Sequence, residues 1–123
     1  MAAADSTFQS LLQAVLDGTT TAIDVSTTTT TTLLAGKAGF RACVLAARLR
    51  SSGANNLVKF AYGSSPTGIT GDEELDDGAV YSLSSRDYQI IAAPEGEALK
   101  SVITRSAGQI GGFITCGYIK VRG

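Results

Sequence analysis

The chain reads as an all-β protein, an antiparallel β-sandwich or jelly roll of seven or eight strands with a short N-terminal helix. Three observations predict this. Short apolar or alternating runs recur along the chain, separated by turns rich in Gly, Pro, Ser and Asp, as in two-layer sheet proteins. Thr, Val and Ile crowd those runs, and branching at Cβ favours extended backbone. At 123 residues the chain has the length of one domain, able to bury roughly two-thirds of the surface it exposes unfolded.

Residues 1–18 are expected as a helical arm and 19–123 as the sandwich. Phe8, Leu11, Leu12, Val15 and Leu16 recur at helical spacing and make one apolar stripe over residues 6–17. Ser6 with Gln9 resembles a capping box, and Gly18 stands where a helix would stop. Such a helix either caps an open end of the domain or grips a neighbour. From Thr19 the character turns to β. Ile23 and Val25, the unbroken Thr27–Thr32 run, then Leu33 and Leu34 read as one long strand or two short ones, with the threonines on a solvated face. Gly36–Gly39 is a turn with Lys37 at its tip.

The next run, Phe40–Arg50, is apolar on both sides. Alternate side chains of a strand point to opposite faces, and one set is Phe40, Ala42, Val44 and Ala46, the other Cys43, Leu45, Ala47 and Leu49. A small sandwich hides one face of a strand in its own core. The second set is therefore expected to be covered by another copy or by a larger surface. Arg48 and Arg50 share a face at the end of this run and read as the polar rim of a contact patch.

Asn56–Tyr62 alternates, with Val58, Phe60 and Tyr62 against Leu57, Lys59 and Ala61, as in a half-exposed antiparallel strand. Gly63–Gly71 is loop-like, with one short strand near Ile69. Asp72–Asp77 is an acidic loop closed by Gly78. Ala79–Ser84, Tyr88–Ala92, Ala98–Arg105 and Gly112–Arg122 complete the strands, the last two joined by a Gly108–Gly112 turn.

Composition excludes much chemistry. There is no histidine or tryptophan, which removes Ser-His-Asp and Cys-His catalysis and most zinc sites. Ten basic against eleven acidic side chains imply no general attraction to nucleic acid or anionic lipid, and the arginines form no aromatic-interleaved stripe. Cys43 and Cys116 lie far apart in apolar runs and read as buried free thiols. A bridge between them would need neighbouring strands and an oxidising compartment. Asp72, Glu74 and Asp76 mimic the first ligands of a calcium loop, but Asp77 stands where glycine is required and Leu83 where the closing acid belongs. No spacing sets two carboxylates across a cleft. Gly36–Lys37 lacks the flanks of a phosphate loop. Tyr62, Tyr81 and Tyr88 read as core rather than as a sugar-stacking platform. Neither cofactor nor metal is expected. Met1–Ala4 leads into no signal-like segment, no run reaches a membrane span, and synthesis in a cytoplasm is expected.

Ala35–Gly36–Lys37–Ala38–Gly39–Phe40–Arg41, leading into Val44–Leu45–Ala46, is followed by Val58–Lys59–Phe60 and Ile69–Thr70–Gly71. Then come Pro94–Glu95–Gly96–Glu97–Ala98–Leu99 and the closing Gly111–Gly112 strand. In this order, over roughly residues 24–121, the segments resemble small β-sandwich virion structural proteins of tailed bacteriophages. Asp72–Gly78, Tyr81–Tyr88 and the N-terminal helix depart from that pattern. The resemblance implies a non-enzymatic capsid decoration or cement protein, or a head-fibre base. Such a protein is commonly a homotrimer, bound to the major capsid protein on the virion surface. Self-association or shell contact is expected through Phe8, Leu11, Leu12 and Val15 and through Cys43, Leu45, Ala47, Arg48, Leu49 and Arg50. The rival expectation is a carbohydrate- or receptor-binding module of a virion fibre.

Overall fold

The structure, a computed structural model, describes residues 18–84 and 91–121. The helix expected over 6–17, with Phe8, Leu11, Leu12 and Val15, lies outside the described residues, as does Tyr88. Ten strands are described: β1 (Thr19–Val25), β2 (Thr29–Leu34), β3 (Phe40–Ser51), β4 (Asn56–Tyr62), β5 (Thr67–Gly68), β6 (Glu73–Leu75), β7 (Val80–Ser84), β8 (Ile91–Ala92), β9 (Leu99–Thr104) and β10 (Ile110–Lys120). They build two antiparallel sheets. Sheet A runs β1-β10-β3-β7, with β8 also on β3, and sheet B runs β2-β9-β4-β5, with β6 also on β4. Within each sheet the two short strands follow one another along the same side of their long partner.

The sheets enclose one core. Ile23, Ala42, Val44, Ala47, Leu49, Ile91, Ile110, Ile114 and Cys116 from sheet A meet Leu33, Val58, Phe60, Leu75, Leu99 and Ile103 from sheet B. Fully burying a Leu, Ile or Phe side chain contributes about 1.5–3 kcal/mol each, so this layer dominates stability. The expected all-β, two-sheet architecture is present. Of the one long or two short strands expected around the threonine run, the structure has two, β1 and β2, and Thr29–Thr32 lie in the second. Ser26–Thr28 carries the chain from sheet A to sheet B, so β1 and β2 become edge strands of different sheets. Thr30 and Thr32 are exposed, while Thr29 and Thr31 are half-buried. Glu73–Leu75, expected as loop, is a short strand held by buried Leu75 opposite Asn56.

β3 departs from the alternation expected of it. Along β10, Thr115 pairs with Ala46 but Cys116 pairs with Val44, so Leu45 is an extra residue in β3. A bulge of this kind sets two residues against one and shifts the alternation. Beyond it, Ala47 and Leu49 turn into the main core beside Ala42 and Val44 instead of joining Cys43 and Leu45 on the outer face. Those two do face outward from the main core, yet they are 0% and 4% exposed. They form a second cluster with Ala92, packed by Ile119. The single chain therefore buries both sides of this segment. The cover expected from another copy is not required for Cys43, Leu45, Ala47 or Leu49.

One end of the sandwich is fastened by a buried amide. Asn55 adopts φ 62°, a left-handed conformation that Asn tolerates better than most residues, and this turn delivers Asn56 into the interior. Asn56 Nδ2 lies 2.9 Å from Ser51 Oγ, 3.2 Å from the Gly53 carbonyl and 2.8 Å from the Ala107 carbonyl. Its Oδ1 accepts from the backbone N–H groups of Ser106 (2.6 Å) and Ala107 (3.1 Å). One side chain thus joins the β3–β4 turn to the β9–β10 turn.

Candidate functional site

The bulge at Leu45 divides the outer face of sheet A. On one side lies the buried cluster of Cys43, Leu45 and Ala92. On the other the face is open. Phe113 on β10 is directly opposite Arg48 on β3 and Ala22 on β1. In the adjacent row, Gly111 lies between Asp24 and Arg50, and Arg50 is opposite Val80 on β7. Residues opposite one another in antiparallel strands share a face with Cβ atoms about 4.5–5.5 Å apart. Ala22, Asp24, Arg48, Arg50, Val80 and Phe113 therefore form one continuous patch, and all six are exposed.

Phe113 and Val80 are the large exposed hydrophobic side chains among the described residues, at 40% and 48%. Both lie on this face. Sheet order places them there: Ile110, Ile114 and Cys116 of β10 fill the core, so Phe113 in the opposite phase must face out. The sequence carried that signal, since Phe113 stands in odd phase to its apolar neighbours. Val80 was hidden from sequence reasoning because only the pairing with Arg50 shows which face it joins. Of the described residues expected at an interface, Arg48 and Arg50 are the ones the fold leaves exposed beside this pair.

Gly112 is required where it stands. Its φ is 142°, and a Cβ there would run into the carbonyl oxygen of Arg48. This close approach draws β10 against β3 beneath the patch. Beside it is a shallow cleft of about 310 Å³ lined by Arg50, Ser52, Gln109 and Gly111. Ser52 and Gln109 pin the cleft floor: Ser52 N–H donates to the Gln109 carbonyl and Gln109 N–H to Ser52 Oγ, each at 2.9 Å. The Gln109 side-chain amide donates to Asp24 Oδ1.

Burial governs the chemistry of the two thiols. Burial raises the Cys43 thiol to about 11 against the lowering effects of a backbone hydrogen bond with Gly117 and of Arg41, and raises Cys116 to about 12, with Cys43 adding to the rise. Both thiols therefore stay protonated at neutral pH, and thiolate is the nucleophilic form. Among the described residues no group of three His, Cys, Asp or Glu side chains could hold a metal ion. Asp72, Glu73, Glu74, Asp76 and Asp77 are exposed around buried Leu75. Tyr62 and Tyr81 pack against the core, with the Tyr81 and Phe60 rings 6.3 Å apart. Lys37 is held over Phe40 at 4.3 Å, and the Tyr118 hydroxyl donates to the Ala35 carbonyl at 2.7 Å. The loop tip is thereby tied to the end of β10. No described helix is long and apolar enough to cross a membrane.

No family model, no curated protein and no solved structure matches the chain.

Proposed function

We propose that the chain is a non-enzymatic structural protein of a tailed-phage virion. It decorates or cements the capsid as a homo-oligomer, with the trimer implied by the resemblance, and binds the major capsid protein on the outer surface. The observation that carries the contact role is the open half of sheet A, where Phe113 and Val80 are flanked by Arg48 and Arg50. Aromatic and Arg side chains are enriched where proteins meet, and they supply a disproportionate share of binding energy.

Strand order supports the finer fold. With β5 and β6 counted as one strand, and β7 and β8 as another, the sheets run first-eighth-third-sixth and second-seventh-fourth-fifth. We read this as an eight-stranded jelly roll, an architecture used by viral capsid and lectin domains. Fold alone does not assign function, so the reading rests on the surface. Each copy would add a modest contact, and many copies on a symmetric shell would multiply it. Phe8, Leu11, Leu12 and Val15 remain proposed as part of the attachment arm.

The test is co-sedimentation of the purified chain with virus particles stripped of it. Wild-type chain should bind, and Phe113→Asp or Arg48→Glu/Arg50→Glu should weaken binding about tenfold or more, which corresponds to about 1.4 kcal/mol, with melting temperature unchanged. Failure of the wild-type chain to bind particles would sink the proposal. Binding to a glycan array instead would select the fibre-module alternative.

A further inference from the structure

The open half of sheet A carries charges placed evenly about β10. Asp24 on β1 and Arg50 on β3 are both register partners of Gly111. Their backbones therefore flank β10 at one strand spacing, about 4.8 Å, on either side. Both side chains are exposed, and the Gln109 amide holds Asp24 through Oδ1. Phe113 projects from β10 itself, two residues along, with Ala22 on the β1 side and Arg48 on the β3 side. Gly111 brings no side chain into the space next to the ring.

We infer that this face is a two-fold contact between copies of the chain, with the axis lying along β10 in the plane of contact. The inference rests on the reading of this face as a contact surface; it names the occupant as a second copy and departs at this face from the trimer implied by the resemblance, giving it two-fold symmetry. Half a turn about that line exchanges the β1 side with the β3 side. Asp24 of each copy then lies over Arg50 of the other, giving two opposite-charge pairs. Phe113 meets its counterpart on the axis, and small Ala22 leaves room for the long side chain of Arg48. An axis running across the strands through Gly112 would instead set Arg50 over Arg48 of the second copy, and like charges brought together across an interface oppose association. Charge thus selects one axis. Two sheets packed face to face with strands aligned is also a common arrangement, and two-fold pairing is the commonest symmetry among homo-oligomers.

The contact is small. Strand spacing and rise give the open face an area on the order of 300–400 Å² in plan, below the roughly 800 Å² per partner of a standard stable interface. The pairing is therefore weak in dilute solution and strengthened where copies are held close together.

Sedimentation of the full chain at concentrations up to about 1 mM, a range that registers even weak association, tests this. Wild-type chain should approach the mass of a dimer. Asp24→Arg and Arg50→Asp, alone, should each reduce association about tenfold or more, through repulsion at both flanks. An equimolar mixture of the two variants should recover wild-type association, because their heterodimer contains two opposite-charge pairs. This recovery also shows that both variants are folded. A wild-type monomer throughout the range overturns the inference, as do single variants that associate like wild type. Association of wild-type chain without recovery in the mixture means another contact, such as a three-fold ring, and overturns it equally. Particle binding is read separately. Its loss with dimerisation intact defeats the virion reading and leaves the pairing, whereas binding by a strictly monomeric chain does the reverse.

Discussion

Cys43 and Cys116 lie on adjacent paired strands and point to opposite faces of the same sheet. Cys43 is opposite Gly117 and Cys116 opposite Val44, so the two are a single register step apart. Cys116 packs in the core between the sheets, while Cys43 packs in the outer cluster and sets Sγ 3.3 Å from the Gly117 carbonyl. A disulfide needs Cβ atoms about 3.5–4.5 Å apart with their bonds converging. Here the sheet itself stands between the thiols. Both cysteines are free and buried, as their apolar sequence surroundings indicate.

The first expectation is inert thiols. A thiol-specific reagent should label neither cysteine in the native chain at neutral pH, and both once the chain is unfolded in denaturant. Mild oxidants should produce no intramolecular bridge. Rapid native labelling of either residue would contradict the packing described.

Alkaline pH should lower stability. The Cys43 and Cys116 values rise from 9.0 to about 11 and about 12, chiefly through burial. Above pH 9 the unfolded chain loses these protons while the folded chain keeps them. The unfolded state then binds fewer protons, so stability falls as pH rises through the window from 9 to about 12. Tyr81, also raised by burial and then by the charge of Glu73, acts in the same direction. Melting temperature should therefore decline more steeply above pH 9 than in a Cys43→Ala/Cys116→Ala variant. Identical slopes would refute the assignment.

Asn56→Ala should be among the most damaging single substitutions. It removes the acceptor of the Ser106 and Ala107 N–H groups and the amide donor to the Ala107 carbonyl, while the Gly53 carbonyl keeps its hydrogen bond from Ser51 Oγ. Each buried group left without a partner costs about 1–3 kcal/mol, so a loss of about 3 kcal/mol or more is expected in urea unfolding. A loss below about 1 kcal/mol would mean that the two turns hold together without this residue.

Ser101 presents the opposite case. Its hydroxyl is fully buried between Thr31 and Phe60 on the inner side of sheet B and has no hydrogen-bond partner among the described residues. Ser101→Ala removes that unsatisfied group, and the change should lie between neutral and about 1 kcal/mol stabilising. Clear destabilisation by the same unfolding assay would reveal a partner for the hydroxyl.

Residue patterns carried the strands well and the faces less well. Asn56–Tyr62 was legible to the residue in its bounds. Its burial alternates as far as Phe60, after which Ala61, expected on the open face, is buried too. β9 and β10 fell within two residues of their expected starts. β3 was legible as a strand but not as a surface. One extra residue, Leu45, reverses the phase of everything after it, and no local pattern marks the bulge because both phases are apolar. The acidic segment hid its strand for a related reason. Leu75 is the single apolar contact that holds β6, and five carboxylates around it look like a loop.

The residue order alone determined that this chain is built of short strands around one apolar interior, without histidine chemistry, and with two thiols kept from water. Those properties follow from composition and from spacing within a few residues. Which side chains share a surface was settled by pairing between segments tens of residues apart: Phe113 beside Arg48, Arg50 beside Val80, Asp24 across Gly111 from Arg50. A strand's two faces are equivalent until its neighbours and its bulges choose between them. The exposed patch exists only once that choice has been made.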